Sequence, residues 1–123
     1  MTLMETASYD NLIAGDFPIV TTRGTLLSGE NLERGALLGK ITASGASQDK
    51  LKQCDSTNSD GSEDPYAILV DDCDASSADT TCTIYLAGEF NSAEIGVVSG
   101  DDIDDFADDL RALGIFVKTT IGD

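Results

Sequence analysis

The alternation between Thr81 and Phe90 constrains the fold more than any other stretch of this sequence. Cys82, Ile84 and Leu86 fall on one side of an extended chain; Thr81, Thr83 and Tyr85 fall on the other. A period of two belongs to a strand, because successive side chains point to opposite faces. This strand is predicted to bury one face, so it needs partner strands. Tyr66–Val70 supplies a continuous apolar run of the kind buried on both faces of a sheet. Ile19–Thr22 is rich in strand formers, with Pro18 at a strand start and Gly24 at an expected bulge before Thr25–Leu27 resume. Glycines 35 and 39 disfavour a helix across Leu32–Ile41, so a short strand is expected at Leu37–Thr42.

Between these runs the chain is polar. Ser28–Asn31 reads as a turn. Ser44–Asp64 reads as a hairpin or surface loop with a brief strand near Lys50–Cys54, where Leu51 and Cys54 alone look buried. Asp71–Asp79 reads as acidic and irregular. One helix is expected, at about 101–113. Asp101, Asp102, Asp104 and Asp105 suit its positive end, with Ser99 or Asp101 as cap. Ile103, Phe106, Ala107, Leu110 and Leu113 form one apolar stripe, and Gly114 stands where a left-handed C-terminal residue belongs. Ile115–Val117 opens a last strand, to about Ile121. The fold class is therefore α+β, mainly β: a small single domain over 17–123, with short strands and one C-terminal helix. Residues 1–16 carry too few apolar side chains for a core, and read as an extended N-terminal arm ordered by a partner.

Charge decides which functions are excluded. Twenty-three acidic residues face seven basic ones, a net charge of −16 on 123 residues. Such a surface repels phosphate, so nucleic acid and anionic membranes are not expected partners. The acidic N-terminus does not read as a secretory signal, and no apolar run reaches membrane-spanning length. With no histidine, the usual general base and the commonest zinc ligand are missing. Ser56–Gly61 places oxygen ligands as a calcium loop does, but Ala67 stands where the bidentate Glu is required. The Asp residues at 101–109 lie opposite the apolar stripe, where nothing raises a carboxyl pKa. No enzyme activity, metal or cofactor is expected. Cys54, Cys73 and Cys82 fit no zinc or redox spacing and read as small buried residues of a chain made in a reducing compartment; Cys73 and Cys82 could face each other across a hairpin.

Four blocks in order carry a resemblance. They are Leu26-Leu27-Ser28-Gly29-Glu30-Asn31-Leu32-Glu33-Arg34-Gly35-Ala36-Leu37-Leu38-Gly39-Lys40-Ile41, the acidic turn Asp60–Asp64 leading into Pro65–Asp72, Tyr85–Asn91, and Leu110–Phe116. Together they resemble the lambda-type bacteriophage head decoration protein D family, over about residues 12–121. The resemblance implies a homotrimer on the outer capsid surface of the virion, at three-fold and quasi-three-fold sites. It implies binding to the phage major capsid protein after the shell expands, and reinforcement of the shell. In the family an N-terminal arm engages the shell, and residues 1–16 occupy that position here. Tyr9, Asp10, Asn11, Leu12 and Ile13 are its candidate contact residues, by strand addition to the partner; the trimer contacts are unassigned. Two other classes stay open: a small acidic adaptor unrelated to a capsid, and a polysaccharide-binding or hydrolytic tail protein, against which the seven Tyr and Phe, mostly within strand or helix patterns, count. A monomer would favour the adaptor, and exposed aromatic residues the tail protein.

Overall fold

A computed structural model describes residues 12–13 and 18–118. Strands dominate: β1 (Val20–Leu26), β2 (Asn31–Leu32), β3 (Leu37–Lys40), β4 (Leu51–Gln53), β5 (Pro65–Leu69), β6 (Cys73–Asp74), β7 (Thr80–Asn91) and β8 (Ile115–Lys118). A 3₁₀ turn at Ile103–Phe106 leads into one short helix, α1 (Ala107–Leu113). The fold is mainly β with a helix, as the periodicities require.

The main sheet runs β1-β4-β3-β5-β7-β8, and β1 also pairs antiparallel with β7. The sheet thus closes on itself as a small barrel, with β8 continuing parallel to the far half of β7. Closure between β1 and β4 rests on one parallel pair, Leu26 with Leu51. The barrel interior holds Leu26, Leu38, Leu51, Ala67, Leu69, Cys82 and Ile84. A second core lies on the other face, formed by Leu37, Ile68, Tyr85, Phe90, Phe106, Leu110 and Ile115. Adjacent residues in one strand, such as Leu37 and Leu38 or Ile68 and Leu69, therefore serve different cores.

This double burial corrects the reading of β7. Tyr85, which the alternation assigns to the face opposite the buried one, is itself buried against Phe90, with ring centroids 5.0 Å apart. Its face of the sheet is covered by α1 and β8, and Arg34 donates to its hydroxyl at 3.1 Å. The bulge expected at Gly24 falls instead between Val20 and Thr21. Gly24 serves packing: a Cβ there would lie 2.7 Å from Leu51 Cδ1. The residues read as turn and irregular chain at Asn31 and Cys73 pair as β2 and β6. Two-residue strands are too short to show a period.

The helical stretch expected from about 101 starts as the 3₁₀ turn at Ile103 and becomes α-helix only at Ala107. Asp102 is the cap, its side chain accepting from the Asp104 N–H at 3.0 Å. Gly114 closes α1 at φ 93°, in the left-handed region. Leu113 does not complete the stripe, for it is 47% exposed. The stretch to Ile121 expected of the last strand runs to Lys118, and the remainder lies outside the described residues. Among the described residues no helix is long and apolar enough to cross a membrane.

Candidate interaction surfaces

The boundary drawn at residue 16 is corrected by Leu12 and Ile13. Leu12 is 2% exposed and sits in the second core, where its carbonyl accepts the Asn91 N–H at 2.7 Å. Ile13 bridges Phe90 antiparallel and is half-buried. The leucine proposed to fill a pocket on a partner fills one in its own domain. A lone apolar pair in a polar stretch carries no period, so its burial could not be read from spacing. Tyr9, Asp10 and Asn11 lie outside the described residues.

The acidic turns hold themselves together. Asp60 accepts from the Ser62 hydroxyl at 2.5 Å and from its N–H at 3.1 Å, while Lys52 donates to it at 3.2 Å. These bonds, the Ser62 hydroxyl first, lower the Asp60 pKa from 3.8 to about 2. Ser62 is fully buried and also accepts from Asn58 Nδ2 at 2.8 Å. It joins Leu51 and Cys54 as an inward residue of that loop. Thr57 donates to Asp55 from its N–H and hydroxyl, and Ser56 donates to Asp101 at 2.6 Å. Asp74 and Asp79 are likewise lowered, by bonds from Ser76 and from Lys50 and Ser28 respectively. The calcium-like stretch is thus a web of side-chain turns. Among the described residues no three or more Asp, Glu or Cys groups converge on a cation position.

The three thiols are free and buried. Burial raises Cys54 to about 12, with Asp101 the next contributor. Burial also raises Cys82 to about 11, and the neighbouring Cys73 adds to this. Cys54 and Cys82 thus stay protonated near neutrality, which suits packing and not nucleophilic chemistry.

These shifts set a pH profile. Depressed carboxyls contribute stability that is present above their unfolded pKa and lost as pH falls through the folded one. Raised thiols contribute stability that is present below about 9 and lost as pH rises toward the folded values. The expected melting curve is flat between about pH 5 and 8, falls from about pH 4 toward 2, and falls again above about 9. Asp60→Asn should flatten the acid limb and Cys54→Ala the alkaline limb, in thermal melts from pH 2 to 11. A profile unchanged by both substitutions refutes the assignment.

Exposed apolar residues mark where the domain is unfinished. Ile19, Val20 and Leu113 are the large hydrophobic residues most open to solvent among those described. Val20 pairs with Ala87, and Ala87 also stands 3.7 Å from where a Cβ on Gly114 would lie, next to Leu113. A wider cleft lies between β2 and the turn after β7, lined by Arg34, Gln53, Glu94 and Ile95. Neither surface brings together groups for bond-making chemistry.

A sequence model of the family described as bacteriophage lambda head decoration protein D matches residues 3–115 of the 123-residue chain. The chain belongs to that family. It is a phage head decoration protein, a structural component of the capsid. The family is structural, which accords with a domain whose acids are occupied in turns and whose thiols are buried. No curated protein matches the chain. The family match covers the first three blocks quoted from the sequence and the fourth up to Ile115, and it also takes in Leu12 and Ile13.

Proposed function

We propose that the protein is a homotrimer that cements the outer surface of the expanded phage head at its three-fold and quasi-three-fold positions. Membership of the decoration family carries this reading. The residue-level support lies at Leu12. Because Leu12 and Ile13 are held on β7, the segment before them starts from a fixed point on the domain. That segment, with Tyr9, Asp10 and Asn11, is the part proposed to engage the major capsid protein. Eleven residues span up to about 36 Å when extended. Strand addition to a sheet edge of the shell would supply backbone hydrogen bonds, with Tyr9 filling a side-chain pocket. Ordering such a segment costs about 1–2 kcal/mol per residue, so one copy binds weakly. Three copies on one trimer gain through effective concentration.

Deletion of residues 2–9 is the test. The truncated protein should keep its circular dichroism and its mass by light scattering, and lose co-sedimentation with expanded heads. Full occupancy by the truncated protein would place the shell contact on the domain itself.

A further inference from the structure

The edge of β1 that faces away from β7 is open. From Val20 to Thr25 it meets no strand among the described residues, since β4 touches β1 only at Leu26. Val20–Arg23 is exposed throughout, and Ile19 and Val20 are 46% and 49% exposed. An open edge of β-branched and apolar residues is a template for another strand. The opening beside it is a cleft of about 190 Å³, whose lining includes Arg23, Lys40, Asp49, Leu51, Tyr66 and Ile84. Its floor is apolar, and its rim carries two cations and one carboxylate. Arg23 makes no ion pair among the described residues, and Lys40 has only a loose one, 3.8 Å from the well-exposed Asp49. In a chain of net charge −16 with seven basic residues, two of the seven stand at this rim beside an unpaired strand edge, with Asp49 as the one carboxylate of the lining.

We propose that this edge and cleft receive residues 119–123 of a neighbouring copy, Thr-Thr-Ile-Gly-Asp, as an added strand. The proposal rests on the trimer reading and specifies its contact. The tail suits the site chemically. Thr119, Thr120 and Ile121 are strand formers, Ile121 fits the apolar floor, and Asp123 brings a carboxylate to Arg23 and Lys40. A tail cannot serve its own chain. β8 runs parallel to β7 and ends with Lys118 opposite Asn91, whereas Thr22 lies opposite Ile84. Thr22 therefore lies about 23 Å from Lys118 along β7 at strand spacing. Five residues reach about 16–18 Å. Each copy therefore offers one tail and one edge, a head-to-tail contact that closes when three copies form a ring.

The test uses the full chain carrying Thr22→Cys and Gly122→Cys, oxidised with diamide. The native cysteines are buried, so the engineered thiols report the contact. The expected result is covalent dimers and trimers on a non-reducing gel. A link within one chain, or no link because another segment or the shell covers the edge, overturns the proposal. Arg23→Glu should weaken trimer association about tenfold to a hundredfold, and Arg23→Glu with Asp123→Lys should recover most of that loss. Light scattering on the wild type separates the two readings. A wild-type trimer without inter-chain links removes the tail contact and leaves the trimer standing. A strict monomer at every concentration removes both.

Discussion

Leu12→Ala should destabilise the domain by about 3 kcal/mol and lower its melting temperature by about 10 °C or more. Leu12 is 2% exposed and packs with Leu37, Tyr85, Phe90 and Ile95 in the second core. Truncation removes its transfer energy and leaves a cavity that β7 and the turn after it cannot collapse to fill. The carbonyl of residue 12 would still accept from Asn91, so the loss is one of packing and not of hydrogen bonding. Deleting residues 2–16 should cost more, because it removes the bridge from Ile13 to Phe90 as well. Deleting residues 2–9 should cost almost nothing. Thermal melts of the three variants check the order. If the 2–16 deletion melts with the wild type, Leu12 contributes nothing to the core and the arm begins where the sequence pattern placed it.

The contrast between Leu12 and β7 explains what can be read from sequence in a fold like this. Where a run is long, its period speaks: Thr80–Asn91, Pro65–Leu69 and α1 with its glycine stop all stand close to where spacing put them. Where a contact is two residues long, no period exists. Leu12–Ile13, Asn31–Leu32 and Cys73–Asp74 are such contacts, each completed by a partner distant in the chain. The second limit is closure. An alternating strand announces one buried face, but it cannot announce that the other face will be covered by β8 and α1, as Tyr85 shows. The interaction surface shares this limit. Arg23 among threonines reads as an ordinary exposed strand, and only the failure of β4 to run alongside β1 makes it an open edge beside a cleft.

Gly39→Ala should be strongly destabilising, costing about 3 kcal/mol or more. Gly39 lies in β3, between Lys52 of β4 and Pro65 of β5, at the point where the β3–β5 register shifts. Its φ is not in the left-handed region, so conformational freedom is not the reason for glycine here. Space is. A Cβ on residue 39 would lie 2.3 Å from the Ser62 carbonyl oxygen and 2.7 Å from Ser62 Cα. Both are backbone atoms, so no rotamer change relieves the clash. Moving Ser62 is itself costly, because its buried hydroxyl joins Asp60 and Asn58 and its carbonyl accepts from the Asp55 N–H at 3.3 Å. The methyl therefore either pushes the acidic loop off the sheet or parts β3 from β5, and each route opens a core. Gly96→Ala is the control: that residue is exposed, has no positive φ, and a Cβ there would meet only Ala36 Cα at 3.7 Å. It should melt within about 2 °C of the wild type, since surface changes away from special features stay within about 0.5 kcal/mol. Chemical denaturation of the pair separates packing from the general effect of an added methyl. Equal midpoints for Gly39→Ala and Gly96→Ala would show that the loop rides over β3 with room to spare.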